Sequence, residues 1–166
     1  MPIRRLDERL LIALTARRHP RLDQLMRGVT HLGGTVSTIA ICLVAMSGLF
    51  PGLVAAGTRA ATTLAASHVI VQVLKRMVSR ERPQLPVGFA FLVAPPDRYS
   101  FPSGHATAAL AVALPFAAVL PVWLAAFPIV LAMIIGISRS YLGVHYPGDV
   151  AAGWFLALGT YLVQLR

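Results

Sequence analysis

The sequence predicts an all-α integral membrane protein, a bundle of about five transmembrane helices preceded by an amphipathic helix lying at the bilayer surface. Three observations carry that prediction. The 166 residues are 57% hydrophobic with a mean hydropathy of +0.71, well outside the range of an ordinary soluble domain. Several apolar stretches approach the roughly 20 residues that span ~30 Å of hydrocarbon, separated by short polar breaks. The formal charge of +9 comes from basic residues that flank these stretches and are not interleaved with aromatics on a polar surface. That placement suits lipid head groups, orientation signals and a phosphate site, and it excludes a nucleic-acid groove.

Residues 1–27 mix Leu6, Leu10, Ile12 and Leu14 with Arg5, Arg9, Arg17 and Arg18, the pattern of an interfacial helix interrupted near Pro20. They lack the short apolar core and small-residue cleavage site of a secretory signal, so the segment is expected to be retained. A first span is expected over residues 33–50, ended by Pro51-Gly52, and a second over residues 53–74. Arg59 stands near enough to the start of the second to snorkel to the interface. His68, seven residues before Lys75 on much the same helical face, is read as a satisfied interior histidine. Cys42, alone in an apolar run, excludes a disulfide framework and a cysteine-based metal site.

Residues 78–102 form the one long polar connection, with Pro83, Pro86, Pro95 and Pro96 among Arg80, Arg82, Asp97 and Arg98, and loops of this length are often functional. Residues 106–137 would measure roughly 48 Å as one helix, too long for a single crossing. Pro121 is the expected break, with Pro115 and Pro128 as kinks. A last span covers residues 147–165, where Tyr146, Trp154 and Tyr161 are interfacial or packing aromatics. The whole of 1–166 is expected to be one membrane-embedded domain. Five crossings bring Lys75, Ser103, Arg139 and His145 to one membrane face. A single crossing over 106–137 would put the two histidine-bearing segments on opposite faces.

Three segments carry the unusual residues. Lys75 and Arg82 are seven apart, two turns along one face if the helix continues, and make a cationic wall for phosphate oxygens. Alone, they equally fit a basic stop at the interface. Pro102 and Ser103 open the third span, so backbone N–H groups near Ser103, Gly104 and His105 form a helix-terminal anion site, with His105 placed to protonate a leaving oxygen. His145 and Asp149 are four apart, so in a helical turn the carboxylate reaches one ring nitrogen and leaves the other free to attack. Arg139 returns a third cation to the same phosphate. Each segment alone has a structural reading; together they assemble the parts of a phosphoryl-transfer apparatus.

The pattern Lys75-x6-Arg82-Pro83, Pro102-Ser103-Gly104-His105 and Ser138-Arg139-x5-His145-x3-Asp149 resembles the three-part signature of the type 2 phosphatidic acid phosphatase superfamily. The resemblance implies that His145 is a nucleophile forming a phosphohistidine, that Asp149 orients it, and that His105 is the general acid. It implies that Lys75, Arg82, Ser103, Gly104 and Arg139 bind the phosphoryl group with no divalent metal or other cofactor. The expected activity is metal-independent hydrolysis of a lipid phosphate monoester or diphosphate drawn from the bilayer, of the phosphatidylglycerophosphate, phosphatidate or polyprenyl class. Transfer to an alcohol through the same phosphohistidine, and lipid-phosphate binding without catalysis, are the alternatives. The expected location is a bacterial cytoplasmic membrane. Thirteen of the fifteen basic residues fall at the site end, which places the site on the cytoplasmic face, although most bacterial membrane relatives act at the outer face.

Overall fold

A computed structural model describes residues 2–85 and 88–166, with side chains from residue 5 onward; Pro86 and the Arg4 side chain lie outside the described part. Seven α-helices occur among the described residues: α1 (Pro2–Thr15), α2 (Pro20–Thr30), α3 (Thr35–Met46), α4 (Val54–Val78), α5 (Gly104–Val119), α6 (Val122–Tyr141) and α7 (Pro147–Val163). The expected break at Pro121 is present. It caps α6 in an extended conformation, and its missing N–H falls where a helix has no use for one. Pro115 and Pro128 lie inside α5 and α6.

α5 is apolar on every side, so it takes the centre. It packs against α4, α6 and α7 and also touches α3. Its core is built from small residues, Ala109, Ala111 and Ala113 with Ala132 and Ala157 around Leu110 and Ile135. Small side chains let helix backbones approach closely where lipid supplies no hydrophobic drive between them. At Gly136 a Cβ would stand 2.5 Å from the Trp154 ring, and at Gly153 it would stand 2.8 Å from both Ser103 O and Thr107 Oγ1. α7 is thereby held against α6 and the start of α5.

The outer surface is apolar, with Val36, Val122, Trp123 and Phe155 each at least 75% exposed, as expected of a lipid-facing bundle. α6 is long and apolar enough to cross a bilayer by itself, α2 with α3 passes as a pair bent by 53°, and α5 is apolar over 16 residues. α4 runs for 25 residues with Arg59 exposed near one end and Lys75 and Arg76 at the other.

Several expectations need correction. α3 is shorter than the 33–50 span, because His31–Gly33 forms a separate 3-10 turn and the chain leaves helix after Met46. His68 is exposed, not interior, and pairs with Gln72 at 3.3 Å. α1 does not rest on the membrane surface alone. Leu11 and Asp7 are buried against the α6–α7 end of the bundle, while Leu6, Leu10 and Ile12 stay exposed. Of the two readings offered for Tyr146 and Tyr161, their burial selects packing.

Candidate active site

The loop between α4 and α5 is closed at its root. Ser79 takes a left-handed conformation (φ 48°) and ends α4, and the chain then runs extended so that Glu81 bridges Tyr99 and Ser100 N–H donates to Arg80 O at 2.8 Å. This corrects the expectation that Lys75 and Arg82 share a helix face. The two cations nevertheless converge through the loop. Lys75 Nζ lies 2.5 Å from Asp97 Oδ2, while Arg82 gives Nη2 to Asp97 Oδ1 at 2.8 Å and Nε to Asp97 O at 2.7 Å. Burial works against the charge of Asp97, but Lys75 and Arg82 outweigh it and hold the carboxyl below the usual carboxylate range.

His145 lies in the turn between α6 and α7 and is 1% exposed. Its Nδ1 is 2.7 Å from Ser100 O. A carbonyl can only accept, so Nδ1 carries the proton and Nε2 presents a lone pair. Arg82 anchors to Val144 O through Nη1, and the same nitrogen stands 3.3 Å from His145 Nε2. Burial, reinforced by Arg82 and Arg139 and partly offset by Asp149, pushes the ring down to about 4. The imidazole is therefore neutral near pH 7, with its unprotonated nitrogen facing Arg82.

Asp149 departs from its expected geometry. α7 begins only at Pro147 and Tyr146 is extended, so His145 and Asp149 do not share a helical turn. Asp149 Oδ2 is 3.7 Å from Nδ1 and accepts instead from Tyr146 N–H at 2.9 Å, while Oδ1 pairs with Arg80 Nη1 at 2.7 Å. The short hydrogen bond that sets the ring is made by Ser100, and Asp149 supplies charge behind it.

The start of α5 closes the other side. Ser103 N–H donates to Asp149 O at 2.9 Å, which joins α5 to α7, and the free N–H groups expected of a helix terminus therefore begin one residue later. A Cβ on Gly104 would meet only Val71 Cγ1 at 4.0 Å, so no protein neighbour demands a glycine there; its smallness leaves room for a ligand. Four buried side-chain polar atoms have no hydrogen-bond partner among the described residues, Ser103 Oγ, Arg139 Nε, Ser140 Oγ and Trp154 Nε1, and the first two belong to the expected site. Arg139 is anchored by Nη1 to Thr30 Oγ1 at 2.7 Å. Unpartnered donors beside a cation cluster are what an anion would satisfy.

A cavity of about 660 Å³ runs from one side of this cluster to the bundle wall. Lys75, Asp97, Gly104, His105 and His145 line one end, and Thr38, Cys42, Leu43, Leu64 and Ala61 line the rest, between α3 and α4. All eight expected site residues thus fall at one end of the bundle. Ser100, Asp97, Arg80, Asp7 and Thr30, which the motifs do not single out, complete their surroundings. Among the described residues no three His, Cys, Asp or Glu side chains gather as metal ligands.

The PAP2 superfamily model matches residues 56–166, which hold every one of the eight expected site residues. The chain belongs to the PAP2 superfamily. Phosphatidylglycerophosphatase B of Bacillus subtilis is 32% identical over 168 residues, 92% of this chain and 78% of that protein. A decaprenylphosphoryl-5-phosphoribose phosphatase of Mycobacterium tuberculosis is 45% identical over 95 residues, 56% of this chain, and the match spans about half (49%) of that relative's length. Among solved structures, a transmembrane PAP2 type phosphatidylglycerolphosphate phosphatase from Bacillus subtilis superposes with a TM-score of 0.82 at 30% identity, covering 98% of this chain and 84% of that one. LpxE of Aquifex aeolicus superposes with a TM-score of 0.83 at 24% identity over 95% and 93% of the two chains, a likeness of fold. The PAP2 domain here is a helical membrane bundle.

Proposed function

We propose that this PAP2 protein hydrolyses a lipid phosphate through a phosphohistidine on His145. The observation that carries the proposal is the cavity that joins an apolar wall between α3 and α4 to the neutral, unprotonated Nε2 of His145. A lipid whose chain lies along α3 and α4 brings its phosphate to Lys75, Arg82 and Arg139; Lys75 and Arg82 exchange their contacts with Asp97 for phosphate oxygens, and Arg139 offers its unpartnered Nε. Ser103 Oγ and the first N–H groups of α5 complete the cradle, aimed at charge that grows in the transition state. Nε2 forms a bond to phosphorus as the bond to the leaving oxygen breaks, and His105 gives that oxygen its proton. Water then attacks the phosphohistidine with His105 as base, releasing phosphate and restoring the imidazole. Fixed cations and backbone dipoles supply the charge stabilisation that a divalent ion gives other phosphoryl-transfer enzymes. Relatives named as phosphatases of phosphatidylglycerophosphate, of decaprenylphosphoryl-5-phosphoribose and of lipid A support a membrane lipid as the substrate class.

The test is phosphate release in detergent from phosphatidate, phosphatidylglycerophosphate and undecaprenyl diphosphate. The wild type is expected to turn over at least one of them in excess chelator and to be inhibited by vanadate. His145→Ala is expected to abolish release, and Asp149→Asn to leave a reduced rate, since losing an orienting group costs less than losing the nucleophile. Release by His145→Ala at the wild-type rate, or a rate restored after chelation only by a divalent ion, overturns the mechanism.

A further inference from the structure

Arg80 sits where the α4–α5 loop leaves its root, and its guanidinium spans two carboxylates from opposite ends of the chain. Nη1 is 2.7 Å from Asp149 Oδ1 and Nη2 is 2.8 Å from Asp7 Oδ2, with the guanidinium carbon 4.1 Å from the centre of the Tyr146 ring. Burial works against its charge, but Asp7, Asp149 and Tyr146 hold the guanidinium above its usual value. Asp7 lies on α1 and is 6% exposed. Its second oxygen accepts the Gly148 N–H at 2.8 Å, at the first turn of the helix that carries Asp149. A Cβ at Gly148 would stand 2.8 Å from that carboxylate, so an alanine there would have to push the Asp7 side chain aside.

Asp149 is fully buried, and its 3.7 Å distance from His145 Nδ1 is too long for the ring to fix it in place. Its position is set by what holds its two oxygens, the Tyr146 N–H on one and Arg80 on the other. Arg80 in turn has its second face closed by Asp7. A guanidinium can do this because its planar fork presents parallel donors to two acceptors at once, which an ammonium cannot. The family match begins at residue 56, so α1 lies outside it, yet α1 supplies the last member of this chain of contacts.

We infer that Asp7 and Arg80 are positioning residues for the reaction, holding the Asp149 carboxylate behind His145, so that α1 is a working part of the catalytic centre. The inference rests on the phosphatase reading above. Neither residue touches the phosphate, so their loss acts on the chemical step and not on capture of the substrate.

The experiment measures kcat and KM for phosphate release from dioctanoyl phosphatidate, or whichever panel lipid the wild type prefers, in detergent micelles. The variants are Asp7→Asn, Arg80→Ala, Arg80→Lys and Asp149→Asn, with the doubles Asp7→Asn/Asp149→Asn and Arg80→Ala/Asp149→Asn. Asp7→Asn is isosteric and keeps an acceptor for Gly148 N–H, but turns an amide NH2 toward Arg80 Nη2, so it loses both the charge and the hydrogen bond on that side. It is expected to lower kcat about tenfold with KM within about twofold. Arg80→Ala is expected to lower kcat further, and Arg80→Lys to recover only part of the loss. Each double is expected to be no slower than Asp149→Asn alone, because residues that act through one group are not additive. Each variant is checked for a monodisperse elution profile and an unchanged Tm, and for Asp7→Asn these are expected to match the wild type. Single variants at the wild-type kcat, or losses that multiply with that of Asp149→Asn, overturn the inference while leaving the phosphatase reading standing. A wild type that releases no phosphate from any lipid removes both.

Discussion

The protonation of His145 follows from two neighbours of different kinds. Ser100 O fixes the proton on Nδ1, and burial with Arg82 and Arg139 nearby keeps a second proton off Nε2. A buried base with a lowered pKa stays neutral through the physiological range and charges only in acid, so the Nε2 lone pair, the proposed nucleophile, is available wherever the protein is folded near neutral pH. The ring is expected to titrate near about 4, against ~6.5 for an unperturbed histidine. Histidine ring NMR in micelles checks this, with the resonance assigned by its loss in His145→Gln; a midpoint between 6 and 7 would mean that the ring is far better solvated than the structure has it. Of these groups, the sequence discloses the residues whose chemistry is distinctive: two histidines, a carboxylate at a fixed spacing, cations beside apolar spans. It does not disclose Ser100, whose contribution is a backbone carbonyl that any residue possesses. Arg80, Asp97 and Asp7 are ordinary loop and helix charges until the fold joins them. Arg80 meets carboxylates 69 and 73 positions away, separations that no local pattern encodes.

At the scale of helices, composition locates the elements and misjudges their ends. The break at Pro121 is readable because proline offers no N–H and restricts the residue before it. The end of α4 is not, because Ser79 has no such constraint and adopts its left-handed turn so that the loop root can pair with Tyr99 and Ser100. The spacing of His145 and Asp149 invites a helical reading, and the proline at 147 starts the helix two residues too late for it. Helix contacts are equally hidden. Gly153 has no feature in the sequence that marks it, yet it is the point where α7 meets Ser103 O and Thr107 Oγ1, one turn beyond Asp149. Gly153→Ala puts a methyl group 2.8 Å from a backbone oxygen, and α7 must shift to accept it. Overpacking of this kind costs about 1–3 kcal/mol. The shift also loosens the Ser103 N–H to Asp149 O contact. Thermal unfolding in detergent is expected to show a lower Tm, together with a fall in kcat, whereas Gly159→Ala, with nothing within 4 Å, is expected to change neither. Equal behaviour of the two variants would show that the α5–α7 contact has slack that the structure does not reveal.

Across the whole molecule the charge distribution divides the bundle into two unlike ends. Contacts of the N-terminal helices place them at the site end: Arg18 donates to Tyr141 O and Ala90 O, Asp7 to Arg80 forms an ion pair, and Thr30 accepts from Arg139. At the other end Gln164 accepts from Thr62 and Thr63, in the turn of α4 next to Arg59. Thirteen of the fifteen basic residues therefore belong to the site end and two, Arg59 and Arg166, to the other. Setting aside Lys75, Arg82 and Arg139 as proposed phosphate ligands, and Arg18 and Arg80 as residues committed to protein contacts, the imbalance is still eight to two. Lys and Arg near span ends are retained on the cytoplasmic side, and the segments here are short enough for that bias to set orientation. The site is expected to face the cytoplasm, which favours a lipid phosphate made on the inner leaflet over a polyprenyl diphosphate recycled at the outer one. In a Cys42→Ser background, Gln84→Cys marks the exposed α4–α5 loop and Leu49→Cys, at a position 74% exposed, marks the opposite end. A membrane-impermeant thiol reagent on intact cells is expected to label the Leu49→Cys protein at once and the Gln84→Cys protein only after permeabilisation. The reverse pattern would place the site outside, and the arginines of α1 and α2 would then have to be held there by the contacts that tie them to the catalytic end, against the charge rule that otherwise orients the chain.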